Sequence, residues 1–423
     1  MAETALARPK AAAGGLAVLS WALYDFANTI FSMNIVSLYF SLWVVNDMGG
    51  RDIHYSTANN ISMLLLILTA PLLGSLSDQA RRRMPFLIAS TFVCVLFTGL
   101  LGLGGLTLSL AFFVIANYAF QAGLIFYDSL LPAVSTEANR GKISGMGIGL
   151  GYLGSFTGVA TGLLIVGTYG KVAVFRLSAV LFLLFALPCF LFVRERIAGE
   201  GRIRIGWHTL RAGFSQTVRT LRHARAYPGL LRFLIGHFFY TDAVNTVILF
   251  MSVYVVNEVG FSEGAAQVFL LFAITMAALG SFGWGFVVDR IGPKRSLNLV
   301  LILWMTVFAL AVILAVWVDA PSVFWLVGAL AGIALGGTWA SDRVYMLRLS
   351  PPRHLAEFYG LYSMAGRFGQ LVGPFAWGVV VNVLAWGRPA AVVTLLIFVV
   401  IAFVILQAVS DRPREWPAEL QAE

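Results

Sequence analysis

Hydrophobic positions in this chain do not alternate with polar ones at the period of a strand, nor do they form a narrow stripe at the period of a surface helix. They fill long unbroken runs. Twelve such runs are separated by short polar, basic or glycine-bearing breaks, near residues 17–45, 57–77, 84–106, 108–130, 143–167, 172–193, 229–256, 265–288, 296–318, 322–346, 357–384 and 388–410. A bilayer core needs about 20 apolar residues per spanning helix. In lipid every backbone polar group must be bonded internally, so the runs predict helices, because the ~10-residue alternation of a membrane barrel is absent. The expected fold is an all-α membrane protein of twelve transmembrane helices.

Composition agrees. Of 423 residues, 59% are hydrophobic and 12% charged, with mean hydropathy +0.84, whereas a soluble domain carries about 25% charged residues. The net charge of +9 would raise the question of nucleic acid, but the placement of the basic residues answers it. With the N-terminus inside, twenty-three Lys and Arg fall in inside segments and only Arg51, Lys171 and Arg388 outside; Arg176, Arg343 and Arg367 lie within spans. This positive-inside bias predicts two cytoplasmic termini in a bacterial inner membrane and no nucleic-acid partner. The first residues lack the features of a cleaved signal peptide. Cys94 and Cys189 sit in apolar runs, and the five histidines show no metal-ligand spacing, so neither a disulfide framework, a metal nor a cofactor is expected.

One long basic loop divides the spans into two sets of six. The expected organisation is an N-terminal tail (1–16), a six-helix bundle (17–193), a linker (194–228), a second bundle (229–410) and a C-terminal tail (411–423). In the linker Ile203, Trp207, Leu210, Phe214, Val218 and Leu221 recur at helical spacing among arginines, which reads as an amphipathic helix on the inner leaflet or as a solvated basic linker. The two sets repeat. Asp25, Asn28 and Thr29 recur as Asp242, Asn245 and Thr246; GSLSD ending at Asp78 recurs as GFVVD ending at Asp289; Asp128 recurs as Asp342. Gly145, Gly151, Gly154 and Gly158 recur as Gly360, Gly366, Gly369 and Gly373. Several correspondences in order, at nearly constant offset, indicate a duplicated six-helix unit, the parallel repeat of major facilitator transporters.

The GxxxD loop with basic residues after the second and eighth spans resembles the signature loop of that superfamily, although Gln79-Ala80 follow Asp78 where an Arg is frequent. WALYDFANTIF, FYDSLLPAV, GKISGMGIGLGYLG, FYTDAVNTV and AEFYGLYSMAGRFGQLVGP resemble the vacuole-effluxer-like family, related to fungal vacuolar amino-acid effluxers. The resemblance implies the two-bundle major facilitator fold, a cavity lined by spans 1, 4, 7 and 10, and export of small solutes.

Ionisable groups at membrane depth cost about 2.5–3.5 kcal/mol each on insertion scales and are functional candidates by default. Asp25 with Asn28, and Asp242 with Asn245 and His237, are expected to face the cavity and bind substrate or a proton; the competing reading is polar glue between helices. Arg367 is expected to clamp a substrate carboxylate or to pair with a structural acid, since a buried guanidinium needs an anion. Tyr24, Gln121 and Tyr240 are further cavity candidates. Asp78 with Arg82, and Asp289 with Arg290 and Arg295, read as inner-face latches, and Asp128, Asp342 and Arg343 as an inward gate. GLGYLG (149–154) matches a dinucleotide fingerprint but lies in an apolar span, where its glycines serve close helix contact. No GxxxxGK[ST] or HExxH occurs, so no catalytic residue is assigned and no enzyme is expected. The expected function is proton-coupled export of a small polar solute such as an amino acid, by a monomer. The alternatives are export of amphipathic lipids or drugs, and a membrane receptor or scaffold.

Overall fold

A computed structural model describes residues 14–50, 52–195, 227, 229–317, 321–411 and 416; most of the basic linker and its amphipathic segment lie outside the described residues. Twelve membrane helices result. Helix α1, Gly15–Phe31, continues through wider π-helical turns at Ser32–Tyr39 and Trp43–Asp47. Helix α2 is Asp52–Gln79, α3 Met84–Gly99 and α4 Gly105–Ser129. Arg140–Phe192 runs on without a loop but breaks at Gly170, φ 73°, which divides it into α5 (140–169) and α6 (171–192). In the second half α7 is Leu230–Asn257, α8 Glu263–Ile291, α9 Pro293–Trp317 and α10 Phe324–Leu349. Helix α11, Leu355–Gly378, continues through a π turn at Val379–Val383, and α12 is Gly387–Gln407.

The twelve helices match the twelve runs, with two local differences. The third span stops at Gly99 because Gly102, Gly104 and Gly105 adopt positive φ, a conformation that ends a helix. The second starts five residues early, where the polar stretch at Tyr55 is held by a bond from its hydroxyl to the Val36 carbonyl.

The repeat is visible in bonds as well as in order. Gly170 at the start of α6 and Gly387 at the start of α12 both have positive φ. The next residues, Lys171 and Arg388, pair with Asp47 at the end of α1 (2.7 Å) and Glu258 at the end of α7 (2.8 Å). Two of the three cations expected outside thus clasp the first and last helix of each half at equivalent places.

The halves meet through α2 against α11 and α5 against α8. Small residues make this possible. Gly74 faces the backbone of Ala356, and a Cβ on Gly360 would lie 2.5 Å from the Ala70 carbonyl. On the other seam Gly145 faces the backbone of Ser281, and a Cβ on Gly285 would lie 2.9 Å from the Gly141 carbonyl. The GLGYLG segment does pack helices: Gly149 receives the Phe282 ring from α8, while Gly151 and Gly154 receive Thr29 and Phe26 of α1. All four seam glycines lie near the basic end of the bundle, where α1 starts and α12 ends.

Gly74→Ala is therefore expected to lower stability by about 1–3 kcal/mol through overpacking. Gly99→Ala, which meets nothing within 4 Å, should be neutral or stabilising by up to about 1 kcal/mol. Thermal unfolding of the two purified variants checks this; equal effects would mean that the α2–α11 contact is not tight.

Candidate functional site

Between the halves lies a cavity of about 390 Å³. Its walls come from α1, α4, α5, α7, α10 and α11, and most of its lining side chains can hydrogen-bond. Asp25, Asn28, Gln121 and Asp128 come from the first half; His237, Asn245, Asp342, Arg343 and Arg367 come from the second.

Two adjacent residues of α10 face opposite ways. Arg343 reaches into the first half, where its Nη1 lies 3.2 Å from Asp25 Oδ2 and its Nε 3.2 Å from Asp128 Oδ1. Asp342 turns into its own half. Its Oδ2 accepts from Tyr362 (2.9 Å) and Tyr240 (3.3 Å) and lies 3.6 Å from His237 Nδ1. Successive positions on a helix are about 100° apart, so an Asp-Arg pair at the seam serves one half each. Tyr359 fixes the local backbone by donating to the Arg343 carbonyl at 2.8 Å.

Arg367 projects from α11 into the cavity. It donates to Gln121 of α4 and, at 3.3 Å, to Gln370. Among the described residues no carboxylate lies within ion-pair distance of it, so the structural acid partner considered from the sequence is absent there.

Other expectations are corrected. Asp242 does not line the cavity. It is buried in the α7–α11 contact, where Oδ1 accepts from the Gly373 N–H at 2.7 Å and Oδ2 has no hydrogen-bond partner among the described residues. The reason is the glycine at position 373, which leaves a pocket on α11 large enough for a carboxyl. Asp25 also abuts a glycine-rich helix, but Arg343 holds it at the cavity wall. Tyr24 lies within the first half, bonded to Thr91 (2.8 Å) and stacked on Tyr127 at 4.8 Å. Tyr240 likewise stands behind the lining, joining His237 to Asp342.

At the basic end the two signature carboxylates act across the seam, but not on the expected partners. Asp78 accepts from the backbone N–H groups of Ala356 (3.1 Å) and Glu357 (2.7 Å), the first turn of α11, and from Arg83 at 2.9 Å. Asp289 accepts from the N–H groups of Gly141 (2.6 Å) and Lys142 (2.8 Å), the first turn of α5. Helix starts present unbonded N–H groups and the positive end of the dipole, which together make an anion seat. Arg82, Arg290 and Arg295 are exposed, and none of them is within ion-pair distance of these carboxylates. Residue type and spacing signalled the acids; nothing in the sequence signalled that main-chain amides would receive them. Nor did it single out Gln370, Tyr362, or Glu195, whose carboxylate accepts from the N–H groups of Arg83 and Met84 at the start of α3.

Twelve helices in two repeated sets, a cavity with charged side chains on their seam and signature carboxylates that bond across it define a transporter of the major facilitator class. The vacuole effluxer Atg22-like family model matches residues 53–415, and the chain belongs to that family. It is 28% identical over 414 residues to the MFS-type transporter YxiO of Bacillus subtilis strain 168, covering 93% of this chain and 94% of that one. It is 25% identical to autophagy-related protein 22 of Coccidioides immitis, covering 62% of this chain but 47% of the longer fungal protein. Among solved structures, the human organic anion transporter MFSD10 matches with TM-score 0.72 at 16% identity, over 93% of this chain and 98% of that one. The transporter FucP in its outward conformation matches with TM-score 0.71 at 15% identity, over 93% and 97%.

Two outcomes are expected. Tyr24→Phe should cost about 1 kcal/mol of stability from the lost bond and leave the KM for cargo unchanged; a tenfold KM change would return Tyr24 to the cavity wall. Asp78→Asn removes the charge from the α11 seat, worth up to about 2 kcal/mol in partly buried geometries. It should raise labelling of a cysteine placed at Ser75 several-fold, and unchanged labelling would deny Asp78 a closing role.

Proposed function

We propose that this chain is a proton-coupled exporter of a small polar solute with a carboxylate, amino-acid-like in character, working as a monomer by alternating access. The observation that carries the reading is Arg367, a guanidinium at the cavity wall held by two amide oxygens and by no acid among the described residues. A fork so placed is available to a planar carboxylate. The charged and amide side chains in the lining, Asp25, Asn28, Gln121, Asp128, Arg343 and Arg367 among them, support such a cargo over amphipathic lipids or drugs.

Alternating access is supported by the seam. Asp78 on α11, Asp289 on α5, and Arg343 on Asp25 and Asp128 all join one half to the other near the basic end, so they would have to break together for that end to open. With the bias of basic residues, this end is the cytoplasmic one and the chain is closed to the cytoplasm; the membrane is the bacterial cytoplasmic membrane. Coupling falls to Asp242 and Asp342. Each is fully buried and each keeps one carboxyl oxygen without a hydrogen-bond partner among the described residues, Oδ2 in the first and Oδ1 in the second. A proton can sit on either atom without breaking an existing bond.

In proteoliposomes, Arg367→Gln should cut kcat/KM for carboxylate cargo roughly a hundredfold, the loss of a charged hydrogen-bonded contact of up to about 3 kcal/mol, and Arg367→Lys should recover part of it. Wild-type rates in Arg367→Gln would sink the carboxylate assignment. Asp242→Asn and Asp342→Asn should retain exchange of labelled cargo while losing accumulation driven by a pH gradient; gradient-driven accumulation in both variants would remove these carboxyls from coupling.

A further inference from the structure

The environment of Arg343 is built by the other half, and it is complete without Arg343. Trp21 and Asp25 come from α1, Tyr127 and Asp128 from α4. The two rings stack at 4.7 Å with 13° between planes. Reciprocal bonds lock them: the Tyr127 hydroxyl donates to the Trp21 carbonyl at 3.1 Å, and the Trp21 indole N–H to the Tyr127 carbonyl at 3.4 Å. Asn28 holds the second oxygen of Asp25 at 3.2 Å. The Arg343 guanidinium carbon lies 5.5 Å from the Trp21 ring centre and 5.6 Å from that of Tyr127. Two carboxylates and two rings, with Asp25 and both rings held by bonds within one half, form a box for a nitrogen cation.

That box cannot stay empty cheaply. Arg343 belongs to the other half, so parting of the halves at the basic end withdraws it. Asp25 and Asp128 then stand close together without the guanidinium. Among the described residues no other Lys or Arg is within ion-pair distance of either carboxylate. Removing one partner of a buried ion pair costs several kcal/mol, because the remaining charge is left uncompensated. A replacement cation compensates it, and the same cation competes with Arg343 while the end is shut.

We propose that Trp21, Asp25, Tyr127 and Asp128 form a binding site for an organic ammonium or guanidinium group, which Arg343 occupies as a tethered stand-in when the basic end is closed. The ring faces decide the class. They attract an alkylated nitrogen cation with an apolar flank, whereas sodium gains more from oxygen ligands and water, and a bare proton makes no use of the rings. The inference rests on the proposed alternating access for the withdrawal of Arg343. It adds that the cargo's positive end loads from the basic side by displacing an internal competitor, at a place separate from the Arg367 fork.

The test is chemical rescue of the purified full chain. Arg343→Ala should lower the melting temperature, and methylguanidinium or methylammonium at about 10 mM should restore at least half of the loss by mass action. Sodium and potassium at equal ionic strength should not, and rescue should vanish in Arg343→Ala/Asp25→Asn. Equal rescue by sodium, or rescue that survives Asp25→Asn, overturns the proposal. Recovery on acidification alone, with no response to the organic cations, assigns the box to protons and overturns it too. Should Arg343→Ala fail to fold, the chain with Arg343 intact and a cysteine at Ser75 gives a second reading. Methylammonium should speed its labelling about threefold or more by displacing Arg343, and an unchanged rate overturns the proposal. Melting needs no transport: rescue in a chain that moves no amino-acid-like cargo would sink the export reading alone, and transport without rescue would sink this inference alone.

Discussion

Helix starts need acceptors. The first turns of α5 and α11 present main-chain N–H groups that no residue of their own helix can bond, and in this chain each is met by a carboxylate from the opposite half, Asp289 and Asp78. Much else follows from that exchange. It brings α2 against α11 and α5 against α8, which is possible only where the helices meet through Gly74, Gly145, Gly285 and Gly360. It also leaves the polar faces of both halves turned toward a common cavity, at the depth where hydrocarbon would otherwise exclude them. Because the bonds cross the seam and lie at one end, they join the two halves there and bear little on the packing inside either half.

The duplicated unit has been put to unequal use. Asp25 and Asp242 occupy equivalent positions in sequence, yet the first reaches the cavity and meets Arg343, while the second is sunk between α7 and α11 on the Gly373 amide. Asp128 and Asp342 diverge in the same way: one takes the guanidinium from across the seam, the other is surrounded by Tyr240, Tyr362 and His237 of its own half. The asymmetry traces to Arg343. The first half has a serine, Ser129, at the equivalent place, so only one half sends a cation into the other. The symmetric parts are those at the rim, the paired clasps of Lys171 with Asp47 and of Arg388 with Glu258 and the carboxylate seats at the basic end. The chemistry at the centre is one-sided.

The amino-acid sequence by itself determined the twelve spans, the break into two sets of six and the repeat, because these follow from runs of apolar residues against bilayer thickness and from residue types at a fixed offset. It also marked the costly residues, since an acid or a guanidinium in an apolar run is conspicuous without coordinates: Asp25, Asp128, Asp342, Arg343 and Arg367 all prove to line the cavity. Partnership was decided only in three dimensions. Which carboxylate meets a guanidinium, a main-chain amide or a tyrosine depends on helix rotation and crossing, and these are set by glycines that admit a neighbour on one face. Arg82, Arg290 and Arg295 look like the partners of Asp78 and Asp289 in the linear order, but the carboxylates turn across the seam to N–H groups more than a hundred residues away. Backbone amides carry no signature of their own in sequence, and that is the physical reason the cross-seam contacts could be read only from the tertiary structure.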